Sequence, residues 1–233
     1  MFLRSIARRA LRRAGLEKIH HPSFVDLLRH EQVETVLDVG ANEGHYGVEL
    51  RERGFRGRIV SFEPICSVYA ALERRALADG QWDSYRLGVG DRAGDLSISI
   101  SAASVFSSFK APSAYTKGKF AGAKEERKET VPVIRLDSFL AQHQAYLDSA
   151  FLKIDTQGFE KEVLTGAGEA LNRFRGVQLE LPLRALYADQ DQWIPMIEWM
   201  AERGFSVAMA KENGFDWETM RLLELDVLFW RDG

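Results

Sequence analysis

Thr35-Val36-Leu37-Asp38-Val39-Gly40-Ala41-Asn42-Glu43-Gly44 reads as a buried strand that runs directly into a ligand-binding turn. Val36, Leu37 and Val39 are apolar and mostly β-branched, which suits a strand covered on both faces. Gly40 and Gly44 free the backbone for a tight turn and for close approach of a ligand. Nineteen residues beyond Gly44, a second apolar run, Arg58-Ile59-Val60-Ser61-Phe62, ends in Glu63-Pro64. If the two runs are parallel strands of one sheet, the Glu63 carboxylate stands beside the turn, where it can accept two hydrogen bonds from a ribose diol. The layout predicts a nucleoside-cofactor site.

Three cofactors can use such a layout. ATP on a Walker loop needs G-x-x-x-x-G-K-S/T, and the sequence holds no such string. A dinucleotide site prefers G-x-G-x-x-G, with pyrophosphate on the helix N-terminus; here the glycines are Gly40, Gly44 and Gly47, and Asn42 stands at the middle position. Asn tolerates positive φ and adds an amide that can bind a carboxylate. Asp38 repels phosphate but suits a cationic amino or sulfonium group, so S-adenosylmethionine fits best. The turn residues Asp38, Gly40, Ala41, Asn42, Gly44 and Tyr46 are expected to bind it, Asp38 and Asn42 holding the methionine part. Glu63 takes the ribose, with Pro64, Ile65, Gly88, Val89 and Asp155 completing the set.

Outward from this core, apolar runs alternate in type as a parallel-sheet fold requires. Strands are expected near 35–39, 58–62, 84–89, 95–100, 130–134, 150–155, 176–181, 205–210 and 225–230, and helices over 44–53, 66–79, 136–143, 159–165, 168–173 and 191–203. Gly54, Gly80 and Gly204 suit helix C-caps. A chain of 233 residues with 45% apolar content can form one α/β domain, assigned to 31–233. Within it, 101–129 is rich in Ser, Ala, Gly and Lys. It reads as an irregular, mobile loop on the acceptor side, or simply a solvated one. Residues 1–30 form a separate basic segment: 1–20 carry six cations against Glu17, a net +5 that leaves −8 on the remainder of a chain whose net charge is −3. Phe2, Leu3, Ile6, Ala10 and Leu11 recur at near-helical spacing, which predicts an amphipathic helix, either a peripheral membrane anchor or a terminal helix lying on the domain. The overall charge gives no reason to expect nucleic acid. The single Cys66 cannot form an internal disulfide, and no apolar run reaches membrane-spanning length. A cytoplasmic protein is expected, peripheral at the inner face of the membrane if 1–20 is an anchor.

Asp38-Val39-Gly40-Ala41-Asn42-Glu43-Gly44-His45-Tyr46, Phe62-Glu63-Pro64, Lys153-Ile154-Asp155-Thr156-Gln157-Gly158-Phe159-Glu160, Leu164-Thr165-Gly166-Ala167 and Asp226-Val227-Leu228-Phe229 together resemble the FkbM-type methyltransferases, from about Val33 to Trp230. The resemblance implies a class I, Rossmann-like methyltransferase fold: a mostly parallel seven-stranded sheet with helices on both faces and an added loop or strand region. It also implies S-adenosylmethionine-dependent O-methyl transfer to a sugar, glycan or natural-product hydroxyl.

An alcohol is a poor nucleophile until a base takes its proton, a service worth about 10²–10⁴ in rate. Ligands of open α/β sheets gather beyond the carboxyl ends of the strands, which makes Asp155 and Glu180 the first candidates; Asp155 can instead cap the Gly158 turn, and Glu180 can bind acceptor hydroxyls. His45, one residue past the glycine turn, is the third candidate, or a pocket-lining residue. Asp155, Glu160 and Glu180 offer hard oxygen atoms to Mg²⁺, but no spacing fixes a metal site, and none is assigned. Lys153 can reach an acid, and Glu160 can favour a helix N-terminus. Two alternatives remain. Tyr115-Thr116-Lys117-Gly118-Lys119 matches the Y-x-x-x-K of NAD-dependent short-chain dehydrogenases, although Pro112 and Gly118 argue against the helix that chemistry needs. A non-catalytic glycan-binding protein on the same fold is the other.

Overall fold

The computed structural model describes residues 22–231. Ser23 starts the first helix, α1 (Phe24–His30): its hydroxyl accepts from the Asp26 amide while the Asp26 carboxylate accepts from the Ser23 amide, satisfying two donors that a helix start leaves open. The chain then runs β1 (Thr35–Val39), α2 (His45–Glu52), β2 (Arg58–Phe62), α3 (Cys66–Asp79), β3 (Trp82–Tyr85), β4 (Gly88–Val89), β5 (Gly94–Ser101), α4 (Ala114–Lys119) and β6 (Glu125–Ile134). It continues through α5 (Leu136–Gln142), β7 (Ala150–Ile154), α6 (Glu160–Ala167), β8 (Phe174–Pro182), α7 (Trp193–Ala201), β9 (Ser206–Asp216) and β10 (Arg221–Trp230).

Seven strands make one sheet in the order β3-β2-β1-β7-β8-β10-β9. Its first five members are parallel, and β10 runs antiparallel to both neighbours. Every residue of β1 and β7 is buried, as continuous apolar runs in a sheet covered on both sides should be. Leu37, Val39, Leu152 and Ile154 pack with Leu136, Leu140, Val163 and Leu164 of α5 and α6. On the opposite face Val36 and Phe151 pack with Leu50, Leu72 and Ala76 of α2 and α3. Beyond β1 the chain winds one way to β2 and β3, and later the other way from β7 to β8. The order thus reverses between β1 and β7, and a crevice opens past their carboxyl ends.

Three expectations change. The run 84–89 is not one strand: after β3 the Leu87 amide donates to the Tyr85 carbonyl (2.9 Å), and the resulting turn sends Gly88 and Val89 out of the main sheet to pair with Val133 and Ile134. There β4, β6 and β5 form a second sheet in that order. The segment 101–129 is not irregular. It holds two 3-10 turns (Ser104–Phe106 and Ala121–Ala123), α4 and the start of β6, in which Arg127, Lys128 and Glu129 pair with Ile100, Ser99 and Ile98. Its charged side chains stay in water while the backbone groups pair, so composition hid the strand. Residues 168–173 form a 3-10 helix rather than an α-helix. The basic segment 1–20 lies outside the described residues. Among the described residues no helix is long and apolar enough to cross a membrane.

Candidate active site

Gly40 adopts φ +76 and Asn42 φ +48, the positive values expected of this turn. A Cβ on Gly40 would stand 1.9 Å from the Asp155 carbonyl oxygen, so glycine is what lets the ends of β1 and β7 approach so closely. The Glu63 carboxylate is fixed from both sides: Oε2 accepts from the Asn42 amide (3.0 Å) and Oε1 from the Ile65 amide (2.9 Å). Burial pushes this carboxyl up to about 7, against the pull of those two hydrogen bonds. A cavity of about 670 Å³, mouth included, opens here, and Gly40, Asn42, Glu63, Pro64, Ile65, Gly88, Val89 and Asp155 line it. An oriented acid beside apolar walls of Ile65, Leu87, Val89, Ile98 and Phe109 suits a nucleoside. Ser104, Val105, Ser107 and Phe109 also line the cavity, which brings part of 101–129 to it.

Asp38, Ala41, Gly44 and Tyr46 are not among the residues lining this cavity. Asp38 is fully buried, with Lys153 Nζ at 2.9 Å. Ala41 donates its amide to the Phe62 carbonyl, and Gly44 is the left-handed N-cap of α2.

A second cleft of about 560 Å³, mouth included, lies on the other side of Asp155. His45, Tyr46 and Glu49 of α2, Lys153, Ile154 and Asp155, Gln178 and Glu180 of β8, Asn213 of β9 and Asp226 of β10 line it. All three sequence-derived catalytic candidates, Asp155, Glu180 and His45, meet there, and Asp155 alone of them also lines the first cavity. Lys153 Nζ stands 3.4 Å from Asp155 Oδ2; burial pulls its pKa down, but Asp38 and Asp155 more than reverse this and hold the ammonium charged. Glu180 accepts from Gln157 Nε2 (2.8 Å) and from Asn213 Nδ2. Burial, then the charges of Asp155, Glu224 and Asp226, push its carboxyl well above the usual range. Burial and Asp155 likewise raise Asp226, and carry Glu224 to about 8. Burial and mutual repulsion thus favour the protonated forms along this flank of the cleft. The His45 ring is exposed, its Nε2 3.8 Å from Glu43, and the Tyr46 hydroxyl donates to Gln178 (2.9 Å).

Sequence reasoning missed Glu49, Gln178, Asn213 and Asp226. The alternation Glu224-Leu225-Asp226-Val227 was the available signal, since it sets two acids on one face of a strand. Glu160 turns away from the cleft: its Oε1 accepts from the Thr156 and Gly158 amides (3.0 Å each) and secures the turn after β7. Among the described residues no group of three or more His, Cys, Asp or Glu is placed to hold a metal ion. Tyr115 and Lys119 do share a helix, contrary to expectation, because Ser113 caps α4 and Pro112 precedes it. They bind Asp216 instead (2.8 and 2.6 Å) and line neither the first cavity nor the second cleft. The Tyr and Lys of the dehydrogenase reading thus stand apart from both clefts.

The fold is that of class I methyltransferases. Methyltransferase FkbM from Methylobacillus flagellatus superposes with a TM-score of 0.53 at 14% identity, over 84% of this chain and 43% of that one. The chain thus spans less than half the length of that protein. Sp1610 of Streptococcus pneumoniae, solved in complex with S-adenosyl-L-methionine, gives 0.48 at 11% identity, covering 89% and 71% of the two chains. TehB from Haemophilus influenzae gives 0.48 at 9%, covering 93% and 64%. No curated protein matches the sequence. The methyltransferase FkbM domain, in contrast, matches residues 38–207, a span that takes in the β1 turn, Glu63, Asp155 and Glu180, and the chain belongs to the FkbM methyltransferase family.

Proposed function

We propose that the protein is an S-adenosylmethionine-dependent O-methyltransferase acting on a hydroxyl of a sugar, glycan or polyhydroxylated natural product. The observation that carries this reading is the position of Asp155, which lines both the nucleoside-type cavity and the polar cleft beside it. Bound S-adenosylmethionine would supply an electrophilic methyl on its sulfonium. Glu63 holds the ribose diol, Ile65 and Val89 flank the adenine, and the turn at Gly40 and Asn42 receives the methionine part. Asp155 accepts the acceptor's hydroxyl proton, with the Lys153 ammonium beside it as counter-charge. Tyr46, Gln178, Glu180, Asn213 and Asp226 surround that position with donors and acceptors, a lining that suits a polyol better than an apolar ring.

Calorimetry with S-adenosylmethionine and with NAD, followed by transfer of labelled methyl to a panel of glycans and polyhydroxylated natural products, tests the reading. Binding of S-adenosylmethionine alone and a methyl ether in the product are expected. Asp155→Asn should lower turnover by about 10²-fold or more while leaving cofactor affinity nearly unchanged. Preference for NAD, or cofactor binding without transfer to any hydroxyl, would overturn the proposal.

A further inference from the structure

We infer that Gln157 is a positioning residue whose side-chain amide, turned one way by Tyr187, locks Asp155 and Glu180 into one unit across the boundary between the two clefts. This rests on the reading of Asp155 as the base. Gln157 Nε2 donates to Asp155 Oδ1 (2.9 Å) and to Glu180 Oε2 (2.8 Å), so both amide protons are committed to carboxyl oxygens. The Tyr187 hydroxyl donates to Gln157 Oε1 (2.9 Å). A reversed amide would point its oxygen at Asp155 Oδ1 and Glu180 Oε2 and would turn the Tyr187 hydroxyl to its other acceptor, the Phe106 carbonyl (3.3 Å), so the Tyr187 contact favours the observed orientation. The backbone of Gln157 is held as firmly. Its φ of +56 lies in the left-handed region, uncommon outside glycine, and its carbonyl accepts from Ser108 Oγ (2.7 Å). Gln157 itself lines the cofactor-side cavity, whereas Glu180 lines the second cleft.

The surroundings explain why a neutral donor belongs here. Asp155 is faced by Lys153, Asp38, Glu180, Glu160, Glu224 and Asp226, and Lys211 lies near Asp226. Lys153 is already shared with Asp38. The Gln157 amide stands between the Asp155 and Glu180 carboxyls and gives each a hydrogen bond; at Glu180 that bond works against the upward push of burial and acidic neighbours.

Gln157→Met keeps the length and removes the donors; Tyr187→Phe keeps the amide and releases its orientation. For Gln157→Met, turnover should fall about tenfold to hundredfold, with the midpoint of the pH–rate profile displaced and affinity for S-adenosylhomocysteine close to the parent's. Carboxyl-carbon NMR of Glu180 in the S-adenosylhomocysteine complex should show its titration moved to higher pH. Tyr187→Phe should show the same changes in smaller degree, and carries the test alone if Gln157→Met does not fold. Parental turnover, pH profile and Glu180 titration in the folded variants would overturn the inference, as would a loss of S-adenosylhomocysteine affinity matching the loss of turnover. If the parent transfers no methyl to any acceptor, the proposed function fails, and the Glu180 titration by itself still decides the role of Gln157.

Discussion

Glu63 was legible in the sequence because its neighbours in space are close in the chain: the strand that carries it follows the glycine turn, and the Asn42 amide that holds it comes from that turn. Its raised carboxyl gives two pH trends of opposite sign. With a folded pKa of about 7 against an ordinary 4.5, the folded protein binds the proton more tightly than the unfolded chain, so this contribution to stability is complete below about pH 4.5 and is lost as pH rises through 7. Relative to Glu63→Gln, the parent should lose about 3 kcal/mol over that range, read by denaturant unfolding at several pH values. Cofactor affinity should run the other way. A ribose diol donates to the carboxylate, so the parent's affinity for S-adenosylmethionine should fall about tenfold per unit as pH drops below 7, while Glu63→Gln binds about 1.5–3 kcal/mol more weakly at high pH and shows a flat profile. A flat parent profile in calorimetry would count against the ribose assignment. Asp38 was harder to place. Its partner Lys153 stands opposite it on the adjacent strand, and only the strand order reveals that pairing.

At the level of elements, the β1 and β7 strands and their flanking helices could be read from apolar periodicity, because burial on both faces leaves a plain pattern. The strands expected near 95–100 and 130–134 were legible too, since Ile98, Ile100, Val131 and Val133 pack together; the start of β6 and α4 were not, since what holds them is backbone pairing and single polar contacts. Thr116 is one such contact: it is fully buried and its hydroxyl donates to the Leu186 carbonyl (2.7 Å). Thr116→Val would remove that hydrogen bond while the carbonyl keeps the Ser113 amide (2.8 Å), and should lower stability by about 0.5–1.5 kcal/mol, measurable by chemical denaturation with m-value unchanged. The expectation of a mobile loop over 101–129 narrows to one part of it. Ser104 contacts Asn42 through their side chains, so residues 104–109 are the part proposed to move. Their amides should gain hydrogen-exchange protection when S-adenosylhomocysteine is added, whereas the paired amides of β5 and β6 should be slow with or without it. Equal protection of 104–109 in both states would mean a fixed wall.

Over the whole molecule, the seven-stranded sheet was legible because alternation of strands and helices has few solutions once crossovers are short and one-handed. The second cleft was not, because Asn213 and Asp226 reach it only through the hairpin that inserts β10 between β8 and β9. The sheet's centre carries much of the stability: Phe151 is fully buried and stacks on Trp230 (centroids 5.8 Å apart), and Phe151→Ala should destabilise by about 3–5 kcal/mol in a thermal or urea melt. We also propose that the basic residues 1–20 attach the protein to anionic membranes. Vesicle sedimentation of the full and truncated chains, at low and high salt, should show binding that needs both the segment and low ionic strength. The shared wall at Asp155 has a kinetic consequence. Two chambers that share Asp155 alone among their lining residues give the spent thioether and the methyl ether no need to leave in turn, so release order should be random. Product-inhibition kinetics should find S-adenosylhomocysteine competing with the methyl donor for its chamber, yet never displaced by saturating acceptor.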